Sequence, residues 1–222
     1  MKPLLLFLTL SLSLLASEAK TYTAEIVPAK MSVHEKKARF IALVEPAVQK
    51  VHAKLMKQFI EVQEDLKQKK NPQRITQLKA VYKVKSDEDL LLALKPHPQS
   101  IAIAQAAMES AWATSRFFVE AKNIFGMWSS NPKEPRIAAG EKRGGTKTIW
   151  LRKFATVEES VDEYYKLMGR GRAFKEFREV RYVTNDPFKI IVKLDKYSEI
   201  GDKYAEELGS MIRYNKFQRF DN

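Results

Sequence analysis

Cysteine is absent from the 222 residues of this sequence, which excludes disulfide bonds, thiolate catalysis and cysteine-ligated metals. The three histidines include no pair at metal-ligand spacing, and there is no glycine-rich phosphate loop of recognised spacing. RNP, helix-turn-helix and zinc-finger signatures are absent as well. We therefore expect an activity that needs no metal, nucleotide or other cofactor, and we expect no nucleic acid as a partner.

Basic residues are in strong excess. Lysine and arginine together number 39 against 27 for aspartate and glutamate, which gives a formal net charge of +12. This balance favours an anionic partner, such as nucleic acid, an acidic membrane surface, or a wall polymer that bears carboxylates and phosphates. Because no nucleic-acid signature accompanies the charge, we expect association with an anionic envelope surface.

The first 19 residues have the pattern of a secretory signal peptide. Met1 and Lys2 form a short positive region, Leu4 to Leu15 an apolar core, and a small-residue cleavage site ends at Ala19. The apolar core is about a dozen residues long, shorter than the roughly 20 that cross a bilayer as a helix. We expect cleavage after Ala19 and a periplasmic or secreted protein; an uncleaved inner-membrane anchor is the alternative.

The rest of the chain divides into three parts and contains no repeats. Residues 20–33 lack periodicity and are predicted to be a linker. Residues 34–95 form a helical segment in which apolar residues recur every three or four positions, and Pro46 predicts a kink or a meeting of two helices. Ser86, which precedes three acidic residues, is predicted to cap a helix. Residues 96–222 form the main domain.

A buried helix that ends in a carboxylate lies at the centre of this domain. The run IAIAQAAM, from residue 101, is apolar on nearly every face, yet Glu109 follows it. An ionised carboxylate in that position must be hydrogen-bonded, paired, or held partly protonated. Pairing with Arg116, or capping of backbone amides, would be a purely structural role. Aromatic residues follow at Trp112, Phe117, Phe118, Phe125 and Trp128. They predict an apolar cleft that raises the pKa of Glu109 toward that of a general acid.

The string AQAAMESAWATSRF followed by NIFGMW resembles the glucosaminidase family of peptidoglycan hydrolases, glycoside hydrolase family 73, and in particular its Bax-like branch. The resemblance implies a lysozyme-like fold, an enzyme that cuts bacterial cell-wall glycan, and a catalytic domain over residues 96–222. The family's catalytic glutamate falls on Glu109. Ala111 and Ala113 stand where the family usually has glycines, which is compatible with a helix that continues a little further.

Loop-forming residues concentrate after Trp128. Two strand-like pieces, at residues 136–138 and 146–154, predict a small hairpin lobe beside the helical body. The tail then alternates short helices with loops. We therefore predict a mainly α protein: a lysozyme-like helical domain with a small β-hairpin lobe and an N-terminal helical extension.

Glycosidic hydrolysis needs an acid for the leaving oxygen and a second group at the oxocarbenium-like centre. Glu109 is the candidate acid. The second group is either a carboxylate of the lobe acting as general base or the substrate's own N-acetyl group. Among the carboxylates, Glu141 is the first candidate and Glu134 the second. If the N-acetyl group acts, a tyrosine would orient it, and Tyr197 matches the family tyrosine near the catalytic glutamate.

Sugar binding requires aromatic faces and polar groups that fix the hydroxyls. Gly126 is predicted to permit a tight turn or close packing, and Trp112 to be mainly structural. The candidates for substrate binding are Gln105, Asn123, Phe125, Trp128 and Tyr204.

The function that we predict is an endo-β-N-acetylglucosaminidase that cleaves peptidoglycan glycan strands, with Glu109 as general acid. A lytic transglycosylase or muramidase acting on the same polymer is one alternative. The other is a basic envelope-binding protein without catalytic activity.

Overall fold

A computed structural model describes residues 21–140 and 148–221. The predicted signal peptide and Glu141 lie outside these residues. Two short strands, β1 (Arg136–Ala138) and β2 (Trp150–Arg152), accompany the helices. The helices are α1 (Val33–Gln68), α2 (Pro72–Tyr82), α3 (Asp87–Leu94), α4 (Gln99–Glu109), α5 (Arg116–Ala121), α6 (Val157–Arg170), α7 (Lys175–Val183), α8 (Pro187–Ile191) and α9 (Asp202–Tyr214), with short 3-10 helices at Arg172–Phe174 and Phe217–Phe220. The prediction of a mainly α protein is confirmed.

Helix α1 is long because its beginning is well capped and its apolar stripe is continuous. Ser32 Oγ accepts a hydrogen bond from the Glu35 amide at 3.2 Å, and the Glu35 carboxylate accepts one from the Ser32 amide at 2.9 Å. The helix runs through Pro46 without a break, so the alternative of two separate helices is wrong. Its buried stripe packs against α3, α4 and α6 and consists of Phe40, Val44, Ala47, Val48, Val51, Leu55, Phe59 and Val62. Among residues 21–140 and 148–221, none of the helices has the length and apolar character needed to cross a bilayer.

Helix α4 is the centre of the core. Every residue from Gln99 to Ala107 is buried, and the helix touches α1, α8, α9 and the last 3-10 helix. Its alanines leave room for these neighbours to approach closely. The first turn is capped by a residue that is remote in the sequence. Pro98 provides no side-chain cap, and Asp221 Oδ1 accepts a hydrogen bond from the Ser100 amide at 2.7 Å.

The chain turns sharply where α4 ends. Ala111, Trp112 and Ala113 all have positive φ, at 51°, 64° and 59°, so the expectation that the two alanines continue the helix is wrong. Ser110 Oγ accepts from the Ala113 amide at 2.8 Å, and Arg39 Nη1 donates to the Ala113 carbonyl at 2.7 Å. These bonds hold a left-handed turn that costs about 1–2 kcal/mol per non-glycine residue. The turn leaves Glu109 at an open helix end.

Replacing Ala111 with glycine is expected to stabilise the protein by about 0.5–1 kcal/mol. Glycine relieves the left-handed strain, and this gain exceeds the extra entropy it gives to the unfolded chain. Ala111 is exposed, so little packing is lost. Urea unfolding measures the change. Ala38→Gly is the control, since Ala38 is exposed within α1 and its replacement should cost roughly 0.5–1 kcal/mol. A loss of stability in both variants would contradict the argument.

The two strands form the small lobe. They pair antiparallel, with Arg136 opposite Arg152 and Ala138 opposite Trp150. A further bridge joins Trp128 to Leu151, and the Phe154 amide donates to the Ala121 carbonyl at 2.8 Å. The lobe is thereby fixed to the segment that follows α5. The predicted strands are both present, although β2 is shorter than the predicted 146–154.

Candidate active site

A cleft of about 640 Å³ opens at the end of α4. One wall is the turn after α5, the other is a face of α6, and the segment before α9 closes one side. The lining residues are Glu109, Phe125, Gly126, Met127, Trp128, Arg152, Glu163, Leu167, Arg170, Phe174, Tyr197, Ser198, Glu199 and Ile200. The cleft therefore combines aromatic and aliphatic surface with charged groups.

Glu109 reaches this cleft from the last position of α4. Its Oε1 accepts a hydrogen bond from the Tyr204 hydroxyl at 3.0 Å. Solvent reaches the carboxylate from the cleft, but burial by the surrounding protein raises its pKa above the ordinary 4.5, and the bond from Tyr204 only partly opposes this. Arg116 does not neutralise it, because that guanidinium binds Glu120 at 3.2 Å and the Ala138 carbonyl at 2.6 Å.

Two of the predicted substrate-binding residues lie behind Glu109. Tyr204 and Gln105 are buried, and Gln105 Nε2 donates to the Tyr204 oxygen at 3.1 Å. Neither residue lines the cleft. The expectation that they contact substrate is corrected. Gln105 is buried because other helices surround α4 up to its last turn, and Tyr204, on α9, is buried with its hydroxyl against Glu109.

Asn123 is also turned inward. It is buried, its Nδ2 donates to the carbonyls of Met127 at 2.8 Å and Arg152 at 3.0 Å, and its Oδ1 accepts from the Met127 amide at 2.8 Å. Gly126 has φ +63° and open space where a Cβ would stand, so it serves the turn conformation and not close packing. The predicted role of Asn123 in binding sugar is replaced by a role in fixing the cleft wall.

Phe125 and Trp128 do line the cleft. Phe125 stacks on Tyr164 with 3.9 Å between the ring centroids, which leaves little of its ring in the open. Trp128 is 67% exposed and is therefore free to stack on a sugar face. Trp112 lies away from the cleft against Phe40, at 5.2 Å between centroids, in the structural position that we expected.

Tyr197 lines the cleft together with Glu109. Its ring stacks on Tyr204 with centroids 5.2 Å apart. Burial, and then the proximity of Tyr204 and Glu109, raise the pKa of Tyr197 well above its ordinary value, so its hydroxyl stays protonated. Glu134 is engaged elsewhere: it accepts from Ser129 Oγ at 2.6 Å and pairs with Arg152 at 3.3 Å. Glu141 lies outside the described residues.

Glu163 is a second carboxylate of the cleft that sequence reasoning missed. It pairs with Arg152 at 2.8 Å and with Lys166 at 2.9 Å. Burial acts to raise its pKa, but the bonds from these two cations lower it overall, so Glu163 stays ionised and is a poor proton donor. The spacing of Glu163, Leu167 and Arg170 places them on one face of α6. That spacing was the available signal.

Similarity to known proteins agrees with this geometry. Residues 91–217 match the family described as glucosaminidase, mannosyl-glycoprotein endo-beta-N-acetylglucosaminidase. The chain is 28% identical over 130 residues to exo-glucosaminidase LytG of Bacillus subtilis (strain 168), covering 55% of this chain and 45% of that protein. It is 29% identical over 125 residues to Protein bax of Escherichia coli (strain K12), covering 54% and 43%. The chain thus spans less than half the length of these relatives.

The fold is similar to that of a solved structure, the catalytic domain of the autolysin Auto from Listeria monocytogenes. The two superpose with a TM-score of 0.54 over 87% of this chain and 92% of that one, at 17% sequence identity. At this identity the similarity concerns the fold alone, and the predicted lysozyme-like fold is confirmed.

Proposed function

Because this chain belongs to the glucosaminidase family, we propose that it is a peptidoglycan hydrolase, an endo-β-N-acetylglucosaminidase with Glu109 as general acid. One observation carries the proposal: a carboxylate whose pKa is raised by burial opens into a cleft lined by aromatic residues. The family description and the name of LytG support the class of bond, N-acetylglucosaminyl.

The proposed chemistry begins with proton transfer from Glu109 to the oxygen that links two sugars. A general acid must be protonated at the working pH, and the burial that raises the pKa of Glu109 favours that form. The hydrogen bond from Tyr204 fixes one carboxylate oxygen. Trp128 would hold a neighbouring sugar by its apolar face, because this ring stands exposed at the cleft.

For the second step we favour assistance by the substrate's own acetamido group. Tyr197 lines the cleft beside Glu109 with a hydroxyl that stays protonated. This hydroxyl would hydrogen-bond the acetamido group while the acetamido oxygen attacks the anomeric carbon. Glu141 is retained as the alternative, a general base on the lobe that activates water. Glu163 is a weaker candidate because Arg152, Lys166 and Arg170 all pair with it.

The proposed substrate lies outside the cytoplasm, so the proposal includes a periplasmic or secreted site of action. The net charge of +12 would favour contact with anionic wall polymers and envelope surfaces. Salt should weaken this contact, because exposed charges are screened as ionic strength rises.

Digestion of purified sacculi tests the function. We expect release of muropeptides with reducing N-acetylglucosamine ends, in an activity that is lost as pH rises through the raised pKa of Glu109. Mass spectrometry of the products is decisive: anhydromuramic ends would indicate a lytic transglycosylase, reducing muramic ends a muramidase, and free N-acetylglucosamine an exo-acting enzyme. Salt-sensitive binding without cleavage would indicate a non-catalytic protein.

The configuration of the newly formed ends separates the two mechanisms. Assistance by the acetamido group passes through two displacements and retains the anomeric configuration. Direct attack of water activated by Glu141 inverts it. Proton NMR of the fresh products therefore chooses between Tyr197 and Glu141 as the second participant.

A further inference from the structure

A line of buried polar side chains runs from the core to Glu109. His97 Nε2 lies 2.9 Å from the Tyr164 oxygen, and the Tyr164 hydroxyl is hydrogen-bonded to Gln105 Oε1. Gln105 Nε2 lies 3.1 Å from the Tyr204 oxygen, and the Tyr204 hydroxyl lies 3.0 Å from Glu109 Oε1. The four residues behind Glu109 are all buried, and they come from the loop before α4 and from α6, α4 and α9.

The direction of every bond in this line follows from its end. An ionised carboxylate can only accept hydrogen bonds, and a tyrosine hydroxyl has one hydrogen. Tyr204 therefore donates to Glu109, and its oxygen accepts from the amide nitrogen of Gln105. The amide oxygen of Gln105 then accepts the hydrogen of Tyr164, so the Tyr164 oxygen accepts from the Nε2–H of His97.

The surroundings of His97 favour this direction. Burial lowers the pKa of His97 well below its ordinary value, and the charges of Arg181 and His52 lower it further, so the ring is neutral and carries one hydrogen. Its Nδ1 has no hydrogen-bonding partner among the described protein atoms. A bare Nδ1 lone pair costs less than a buried N–H without a partner. The hydrogen thus belongs on Nε2, where Tyr164 accepts it.

We propose that His97, Tyr164 and Gln105 are positioning residues which act through Tyr204 to keep a hydrogen bond on Oε1 of Glu109, so that Oε2 carries the proton that the acid transfers. This inference rests on the proposed function. The orientation of Gln105 is the key step. Because Gln105 presents its amide nitrogen to Tyr204, the hydroxyl hydrogen of Tyr204 has Glu109 as its acceptor.

The consequence concerns the protonated acid. With Oε1 occupied by the hydrogen of Tyr204, the proton of Glu109 sits on the other oxygen, the one left for the cleft. With the line reversed, the proton would sit on Oε1 and point back at Tyr204, away from the substrate. The buried line therefore selects the productive form of the acid, and its loss should lower kcat while leaving KM nearly unchanged.

The chain offers a matched pair of variants for the test. Tyr164→Phe removes a hydroxyl from the line. Tyr165→Phe removes a hydroxyl from the next residue of α6, which is also buried. The Tyr165 ring stacks on His97 with 4.5 Å between the ring centroids, and its hydroxyl donates to the His97 carbonyl over a long 3.5 Å. Both variants lose one buried hydroxyl and keep the aromatic ring, so their losses of packing are equal. Only Tyr164→Phe interrupts the line of hydrogen bonds.

Two readouts are needed. The first is the pH dependence of kcat and KM for glycan cleavage. The second is the titration of the Glu109 carboxyl by carbon-13 NMR, with its signal identified by its absence in Glu109→Gln. The tyrosines that interact with this carboxyl are Tyr197, Tyr204 and Tyr164, and they stay neutral throughout the range used. The charged residues Arg152, Glu163, Arg170 and Glu199 line the same cleft and are present in every variant compared.

We expect Tyr164→Phe to raise the pKa of Glu109, because the bond that Tyr204 donates to the ionised form weakens once Gln105 is free to turn. The alkaline limb of the activity should move to higher pH. General acid catalysis contributes about 10²–10⁴-fold, and we expect kcat to lose roughly tenfold of this. Tyr165→Phe should match the parent in both readouts. Tyr204→Phe should give the largest upward shift, since it deletes the last bond itself.

The inference is overturned if Tyr164→Phe and Tyr165→Phe behave alike. Thermal unfolding checks that both variants fold. Should Tyr164→Phe fail to fold, Gln105→Met takes its place, with the same expected upward shift and the same condition for rejection. If the parent protein cleaves no glycan, the proposed function fails, but the NMR titration of Glu109 still decides whether the line acts on the carboxyl.

Discussion

Glycan cleavage is expected to disappear when Glu109 is replaced by glutamine, while the folded protein becomes more stable at neutral pH. Glutamine has no proton to transfer, so the loss of rate should reach at least the 10²–10⁴-fold that general acid catalysis contributes. The amide oxygen of glutamine can still accept the hydrogen bond from Tyr204, so the site should keep its shape. The same substitution thus separates chemistry from folding.

The stability change follows from the raised pKa of Glu109 in the folded protein. A group with a raised folded pKa favours the folded state below its unfolded pKa, about 4.3, and this contribution is lost as pH rises through the folded pKa. Glutamine stays neutral at every pH. Thermal unfolding should therefore show Glu109→Gln to be more stable than the parent protein at pH 7 but not at pH 4.

Glu120→Gln is the control for both effects. Glu120 is an exposed glutamate that pairs with Arg116 four residues earlier on the chain, at 3.2 Å. Such surface pairs contribute little to stability, and Glu120 does not line the cleft. Cleavage by Glu109→Gln at the rate of this control would remove Glu109 from the mechanism.

Replacing Asn123 with alanine is expected to destabilise the protein by about 3 kcal/mol. The side chain makes three hydrogen bonds, to both backbone groups of Met127 and to the carbonyl of Arg152. Each buried group left without a partner costs about 1–3 kcal/mol, and partial access of water to the turn reduces the sum. Phe125 and Trp128 would also lose their fixed positions, so KM should rise.

Urea unfolding and steady-state kinetics measure these two effects. Asn131→Ala is the matched control, because Asn131 is exposed and its side chain accepts one hydrogen bond from the described residues, the Lys133 amide at 3.0 Å. We expect its stability to change by less than about 0.5 kcal/mol. Equal stability losses in the two asparagine variants would contradict the role assigned to Asn123.

Much of the helical framework was predictable because its signals are local. Ser86 caps α3 as its position before three acidic residues suggested, and the stripe of α1 shows the expected spacing. Glu109 stood out because a carboxylate follows an apolar run. These features depend on neighbours within one or two helical turns, which a sequence displays directly.

Depth in the fold was not predictable in the same way. Gln105 does share a face with Glu109, but spacing gives direction around a helix and not distance from the surface. Neighbouring helices surround α4 up to its last turn, so Gln105 became part of the core. Tyr204 and Asn123 were misplaced for the same reason: a polar side chain beside a site can serve the substrate or the protein, and only tertiary contacts decide.

The turn at Ala111 and Ala113 shows a tertiary contact overriding local preference. Alanine has the highest helix propensity, and its presence where the family usually has glycines is compatible with a longer helix. The hydrogen bonds from Ser110 and Arg39 outweigh it. Arg39 lies 74 residues before Ala113 in the sequence, so no local pattern could have revealed this contact.

The guanidinium of Arg39 also connects residues 23–26 to the turn that follows α4. Besides the carbonyl of Ala113, it binds the carbonyls of Thr23 at 2.8 Å, Ala24 at 3.2 Å and Ile26 at 3.2 Å. The stretch from residue 23 to 26 thus stabilises the turn at residues 111–113, next to Glu109, although it lies far outside the 91–217 region shared with the family. A protease that removes residues 23–26 would therefore weaken the support of Glu109 without altering any residue that lines the cleft.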